Sequence, residues 1–217
     1  MRKGISRILF TGGVTALVVG LAVTSSSASN TLVTWNVAPG GSITLTGAKA
    51  RFTDAATHWA LLCQSSSGEG SLLAGHDLPG KDLGSIKTLT LATCTGPAKT
   101  AYTITASLPW SVSATAYDAA KGVTTMLIEG FHVTFSSAAC SGTLDGTSAA
   151  SGNGVVRARY TNSTGDLRIL AAGDTLKLSH LTGCVGLFRA GDAFTFATTF
   201  TVSPVQTITG TKIPGRP

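Results

Sequence analysis

Hydrophobic and polar residues alternate with a period of two along most of this chain. In residues 192–202 (DAFTFATTFTV), Phe194, Phe196 and Phe200 keep to every second position, and threonine or alanine fills the positions between them. Successive side chains of a β-strand point to opposite faces of the sheet. The pattern therefore predicts a strand that buries its phenylalanine face in a core.

The same period recurs in further short segments, which turn-forming stretches rich in Gly, Ser, Pro and Asn separate. They are residues 32–37, 42–47, 102–106, 111–117, 126–135, 154–160, 166–170 and 175–180. In residues 126–135 the alternation is broken at Glu129-Gly130, which predicts a β-bulge.

One segment, residues 52–63 (FTDAATHWALLC), is a helical candidate, and Asp54 is its possible N-cap. It has no Glu or Gln three residues after that cap, so the capping box is incomplete. Many short strands at this spacing are typical of sandwiches and barrels. We predict an all-β fold, an antiparallel β-sandwich of Ig-like or jelly-roll-like type.

The N-terminus has the pattern of an export signal. Arg2, Lys3 and Arg7 precede a mostly apolar stretch at residues 8–23, and the small residues before Ala28 fit a cleavage site after that residue. An uncleaved membrane anchor is the alternative, but the apolar run is short and is interrupted by Thr and Gly. We expect a secreted protein, extracellular or associated with the cell wall, with no membrane attachment after cleavage.

The rest of the chain is long enough for one β domain with a substantial core. We predict a signal peptide at residues 1–28, a single β-sandwich domain at residues 29–209 and a flexible tail at residues 210–217. Cleavage would leave 13 basic and 10 acidic residues, so the net charge would fall from +6 to +3. The sequence has no run of Lys and Arg, which argues against a nucleic-acid partner.

Four cysteines follow the predicted signal, and an even number in an exported chain indicates disulfides. They are Cys63, Cys94, Cys140 and Cys184. Three pairings are possible, and we favour Cys63–Cys94 and Cys140–Cys184 because they link neighbours in sequence. Each link is worth about 3.5–4 kcal/mol in the loop-entropy model. No two cysteines have the close spacing of a zinc site, so we predict no metal.

Motifs for catalysis are absent from the sequence. There is no G-x-S-x-G elbow and no H-E-x-x-H pair, and residues 145–151 (DGTSAAS) match the surroundings of subtilisin-type serines only in three common residues. His132 alternates with core residues and is expected to face away from the core. We identify no catalytic residue and no cofactor, and we regard enzyme activity as the less favoured alternative.

A few residues are candidate ligand contacts. His76 and Asp77 lie close to Asp82 in a loop, where functional residues concentrate. Glu129 interrupts an apolar alternation, and burial would give it the raised pKa of a proton donor, although a bulge that turns it to solvent is the simpler account. Trp110 follows a proline at a strand entry and is the tryptophan that we expect to be exposed for sugar stacking.

Three arginines, Arg157, Arg159 and Arg168, fall on the polar side of two neighbouring predicted strands. They would form a basic face of the sheet, and the alternative is that they are ordinary solvated charges.

The export signal, the four cysteines and residues 154–184 (GVVRARYTNSTGDLRILAAGDTLKLSHLTGC) resemble an uncharacterised family of small exported actinobacterial β proteins. This resemblance implies secretion but no activity and no site. The neocarzinostatin-type apoproteins are similar in composition and in having two disulfides. Their chains and disulfide loops are shorter than here, so ligand carriage is not implied.

These observations favour a secreted, non-enzymatic β-sandwich protein that binds a cell-wall polymer, a glycan or an extracellular protein. One alternative is a secreted hydrolase that acts on an extracellular polymer through Glu129 or the loop with His76, Asp77 and Asp82. Another is a carrier of a small apolar ligand, held in a cleft between sheets.

Overall fold

The computed structural model describes residues 32–147, 152–172 and 174–213, and β-strands dominate them. The strands are β1 (Leu32–Ala38), β2 (Gly41–Asp54), β3 (Ala60–Leu72), β4 (Gly75–Leu78), β5 (Gly84–Thr95), β6 (Ala101–Ala106), β7 (Trp110–Asp118), β8 (Val123–Phe131), β9 (Val133–Ser136), β10 (Ser141–Asp145), β11 (Gly154–Thr161), β12 (Asp166–Ile169), β13 (Leu176–Thr182), β14 (Ala193–Ser203) and β15 (Thr207–Ile213). A short 3₁₀ turn, Pro97–Lys99, joins β5 to β6. The predicted signal peptide lies outside the described residues.

The strands form two layers joined along both edges. The four long strands make one layer in the order β5-β3-β2-β14. The other layer has two groups of four, β7-β8-β11-β12 and β6-β9-β10-β13, and each group pairs with β5 at one edge and with β14 at the other. These pairings are antiparallel, so the predicted antiparallel β-sandwich is confirmed.

A second, small sheet in the order β15-β1-β4 covers one end of the sandwich. Its carbonyl at Ile208 accepts a hydrogen bond from the buried hydroxyl of Thr124 at 2.9 Å. Of the tail predicted at residues 210–217, residues 210–213 instead belong to β15 and pair in register with β1, and residues 214–217 lie outside the described residues. The pairing partner lies about 180 residues away in the chain, which a local pattern does not reveal.

The core follows the alternation read from the sequence. In β14 the side chains of Phe194, Phe196, Phe200 and Val202 are buried, as predicted. Thr198 occupies the same inward row, and its hydroxyl donates a hydrogen bond to the Lys49 carbonyl at 2.8 Å. That bond offsets the cost of burying a polar group.

Both predicted disulfides are confirmed. Cys63 in β3 stands directly opposite Cys94 in β5, so this bond links two paired strands. Cys140, just before β10, is bonded to Cys184, just after β13. Disulfides of this kind are typical of proteins in oxidising compartments outside the cytosol.

Two local predictions had different outcomes. The bulge is confirmed: β8 and β11 shift register at Gly130, which has a φ of +80° that glycine adopts without strain. The helical candidate is wrong: residues 52–63 form the end of β2, a tight turn and the start of β3. Asp54 does act as a cap, because its carboxylate accepts the N–H groups of Ala56 and Thr57, but it caps a turn.

Within the part of the chain that the structure describes, no helix has the length and apolar character needed to cross a membrane.

Candidate functional site

The outer surface of strands β11, β12, β14 and β2 carries a group of exposed cations that we call the basic face. It comprises Lys49, Arg51, Arg157, Arg159 and Arg168. The period of two brings them together, because the inward positions of the same strands hold core residues such as Ala158 and Ile169. The predicted basic face of three arginines is present, and β2 extends it by two further cations.

The strand register places the central arginines side by side. Arg159 in β11 is directly opposite Arg168 in β12, and Arg168 is opposite Thr199 in β14. Directly opposed side chains in a sheet have Cβ atoms about 5 Å apart. Two like charges at that distance repel one another, so this pair is held together by the sheet rather than by its own attraction.

A bulge that the sequence analysis missed presents Lys49 to this face. Between β2 and β14 the register shifts, so that Ala48 and Lys49 together stand opposite Thr199. The hydrogen bond from the Thr198 hydroxyl holds the carbonyl of Lys49. A gap in the alternation at Gly47-Ala48-Lys49 is the sequence signal that marks it.

The basic face is concave. A depression of about 460 Å³ is lined by Lys49, Arg51 and Arg168 together with small and aliphatic residues of β12 and β14. A second depression, of about 330 Å³, is lined by Arg159, Arg168 and Lys121 among others. Arg168 borders both, so the two depressions adjoin one another across its side chain.

Among the described residues, the cations of the basic face form no salt bridge. Lys121 and Asp118 form an ion pair at 2.9 Å and His132 is hydrogen-bonded to Asp145 at 2.6 Å, and neither contact includes a cation of the basic face. Asp166, two residues before Arg168 on β12, is the acid on the same strand. The face therefore carries an excess of positive charge that favours anionic partners.

An acidic cluster lies beyond the β8 side of this face. The Glu129 carboxylate accepts a hydrogen bond from the Ser113 hydroxyl at 2.7 Å, and that hydroxyl accepts the N–H of Asp82 at 3.1 Å. The Asp82 carboxylate accepts a further hydrogen bond from the hydroxyl of Ser111. Asp82, Ser111, Ser113 and Glu129 thus form one connected hydrogen-bond network. The sequence did not predict that Glu129 and Asp82 would be joined in this way.

His76 and Asp77 lie apart from Asp82 in the hydrogen-bond pattern. Both are exposed on β4, where His76 Nδ1 is 3.3 Å from the side-chain oxygen of Asn36 and Asp77 donates its N–H to the same oxygen. Thr34 donates its hydroxyl to the Asp77 carboxylate. These contacts tie β4 to β1 and give both residues a role in pairing the small sheet.

The expectation that Trp110 is exposed is wrong. It is 1% exposed and stacks on Phe131, with ring centroids 4.4 Å apart. This first residue of β7 points inward, and a buried ring of that size removes a large apolar area from water. The exposed tryptophan is Trp59, 45% exposed in the turn between β2 and β3.

His132 faces away from the core, as predicted, and pairs with Asp145. Burial alone would raise the pKa of Asp145, but the hydrogen bonds from His132 and from the N–H groups of Gly146, Gly152 and Asn153 outweigh it and hold this pKa below its ordinary value. A carboxylate that accepts several N–H bonds is stabilised in its charged form. Asp145 thereby fastens the ends of the segment between β10 and β11.

Asp174 has the opposite electrostatics, beside the Arg157 end of the basic face. Burial raises its pKa to about 6, although its carboxylate accepts the N–H of Phe196 at 2.9 Å and that of Arg157 at 3.4 Å. Removal from water disfavours the charged form more than these two bonds favour it. Local sequence patterns do not mark this residue, since it lies in the loop after β12 and its two partners come from β11 and β14, which are distant in sequence from one another.

The interior between the layers is filled. The internal cavity bordered by residues such as Leu45, Met126 and Tyr160 has a volume of about 20 Å³, close to that of one water molecule. A ligand of ordinary size needs some hundreds of Å³. Among the described residues, no group of three or more His, Cys, Asp or Glu side chains is arranged to hold a metal ion.

Comparison with known protein families, with curated proteins and with solved structures found no match to this chain.

Proposed function

We propose that this chain is an exported, non-enzymatic β-sandwich protein that binds an extracellular polymer of the cell wall or a glycan on its outer surface. The observation that carries the proposal is the concave basic face, whose cations have no salt-bridge partner among the described residues. The filled interior gives no support to the alternative of an internal apolar ligand. The two disulfides support a working place outside the cytosol.

Export is tested by the N-terminus of the protein that cells release. Cleavage after Ala28 gives a chain that begins at Ser29 and has both disulfides formed. Intact mass under non-reducing conditions measures both features at once. A protein that keeps residues 1–28 and stays in the membrane fraction contradicts the proposal.

Polymer binding is tested by co-sedimentation with insoluble cell-wall material from the producing organism. We expect the protein in the pellet at low salt, because the basic face attracts acidic groups, and in the supernatant at about 1 M salt, where the Debye length is only about 3 Å. A protein that stays in the supernatant at every salt concentration contradicts the proposal. Bovine serum albumin, with no expected affinity, controls for trapping in the pellet.

A secreted hydrolase is the second candidate, and the network of Asp82, Ser111, Ser113 and Glu129 is the observation that favours it. Most enzymes that cleave a glycosidic bond use a pair of carboxyl groups, one as the general acid and the other as the base or nucleophile. Digestion of the same wall material by the wild type, by Asp82→Asn and by Glu129→Gln tests it. Release of sugar by the wild type that both substitutions abolish, with Asp77→Asn as an unaffected control, would establish this alternative.

A further inference from the structure

We infer that the polymer is an acidic polysaccharide whose carboxylates bind along the basic face, from Arg51 across Arg168 to Arg157. This inference rests on the proposed function and names the class of polymer. It commits to a carboxylated glycan chain lying across strands β2, β14, β12 and β11.

The spacing of the cations suits a chain that repeats its charge. Arg159 and Arg168 are directly opposite one another on neighbouring strands, so their Cβ atoms are about 5 Å apart. Arg157 precedes Arg159 by two residues on the same face of β11, which is a distance of about 7 Å along the strand. A polymer with a carboxylate on successive units can meet several of these cations at once. Once one carboxylate of the polymer has bound, the contacts of its other carboxylates are intramolecular. Several weak carboxylate–cation contacts therefore give a higher overall affinity than any one of them alone.

The choice of arginine matches the chemistry of a carboxylate. Four of the five cations of the basic face are arginines, and the planar guanidinium donates two parallel N–H bonds to a carboxylate. Arg51 is held in place, because its Nε donates to the Thr53 hydroxyl at 3.0 Å and its remaining N–H groups can still bind a ligand. A side chain that is already ordered loses less entropy when it binds.

The hydroxyl groups around the arginines favour a sugar chain over a nucleic acid. Thr125 is directly opposite Arg159, and Thr199 is directly opposite Arg168. A threonine hydroxyl both donates and accepts, as the hydroxyls of a sugar require. Among the described residues that line the two depressions none is aromatic, whereas proteins that bind single-stranded nucleic acid stack bases on aromatic rings.

Acidic residues border the basic face and limit where a polyanion can lie. Asp118 and Asp166 stand near the Arg159–Arg168 pair, Glu129 belongs to β8, and Asp82 is hydrogen-bonded to Ser113 of β7. A chain of carboxylates that extended over these groups would be repelled. The binding path is therefore expected to run across β11, β12, β14 and β2 and to stop before β7.

The test is the binding of polygalacturonate to the purified protein, measured by calorimetry at low salt. Arg159→Gln with Arg168→Gln should weaken binding about tenfold, because two charge-assisted contacts at the centre of the path are lost. Lys99→Gln with Arg189→Gln is the matched control, since it removes two exposed cations outside the basic face. Arg159→Lys with Arg168→Lys keeps the charge but cannot donate two parallel N–H bonds to one carboxylate. The affinity of this variant for polygalacturonate should lie between that of the Arg159→Gln, Arg168→Gln variant and that of the matched control.

Binding measurements with other polymers distinguish a failure of this inference from a failure of the proposed function. Binding of neutral dextran as tightly as polygalacturonate, unchanged in the Arg159→Gln, Arg168→Gln variant, would leave a polymer-binding protein but overturn the acidic partner. Tighter binding of an oligothymidylate of equal charge would overturn the polysaccharide class. An equal loss in the matched control would overturn the location. If neither wall material nor any of these polymers bound, the proposed function would fall as well.

Discussion

At the scale of single residues, two carboxylates respond to their surroundings in opposite directions. Asp145 accepts three backbone N–H groups and a bond from His132, and its pKa is lowered. Asp174 accepts only two N–H groups, which do not offset its desolvation, and its pKa is raised to about 6. The balance between burial and hydrogen bonds decides the sign in each case. Asp145 therefore stabilises the fold above its unfolded pKa near 3.8, and this contribution is lost as the pH falls through its lowered folded value.

Asp174 makes the stability of the protein depend on pH in the opposite sense. Its folded pKa, about 6, lies above the unfolded value of 3.8, so the native state binds more protons between them. Its contribution to stability is largest below about pH 4 and falls by on the order of 2 kcal/mol as the pH rises past about 6. Asp174→Asn should remove this decrease, which urea unfolding of both proteins at pH 4 and pH 7 measures.

The comparison uses the difference between wild type and variant, because other groups titrate in the same range. Asp77→Asn also removes one carboxylate, and it serves as the control for the loss of a negative charge. Parallel pH profiles for wild type and Asp174→Asn would show that Asp174 titrates alike in the folded and unfolded states.

At the scale of strands, two bulges shape the outer surface. The bulge at Gly130 sits beside Glu129, whose carboxylate reaches Ser113, and the bulge at Ala48-Lys49 adds a cation to the basic face. A bulge re-aims side chains that strict alternation would place elsewhere. Both charged groups owe their position to a local break in a regular ladder.

The disulfides join strands at two places, and their removal is expected to cost stability. In the loop-entropy model, Cys140→Ala with Cys184→Ala lowers the free energy of unfolding by about 4 kcal/mol, because the unfolded chain regains the freedom of a long loop. Cys63→Ala with Cys94→Ala should have a similar effect. Urea unfolding of the two double variants beside the wild type measures this.

Reduced wild-type protein is the control for the two disulfide variants, and it should be less stable than either. Double variants that unfold at the wild-type urea concentration would show that strand pairing alone sets the stability of these regions.

The strands were predictable from the sequence because hydrophobic and polar residues alternate locally, so that the buried face of each strand consists of every second residue. Phe194 and Val156 show this, as does the bulge at Gly130, where the alternation breaks. The burial of Trp110 and the pairing of residues 210–213 with β1 were not predictable, since both depend on distant contacts. The basic face was foreseen in part, because its arginines share a face but Lys49 and Arg51 come from a strand over 100 residues away.

At the scale of the whole molecule, the space between the two layers is filled, and the proposed function is assigned to the outer surface. The two layers are joined at both edges through β5 and β14, and the space between them is filled with aromatic and aliphatic side chains. Close packing of this kind leaves little room for a ligand between the layers, which is why the proposal places the ligand outside. The basic face is the strongly charged part of that outside, and it is built on strands rather than on loops.

Nuclear magnetic resonance of isotope-labelled protein during titration with polygalacturonate tests this account most directly. We predict shifts of the backbone amide signals of residues 49–51, 157–159, 168 and 197–199, with the signals of buried β7 residues unchanged. Shifts centred on Asp82 and Glu129, or spread through the core, would contradict the account, and so would a spectrum that the polymer leaves unaltered.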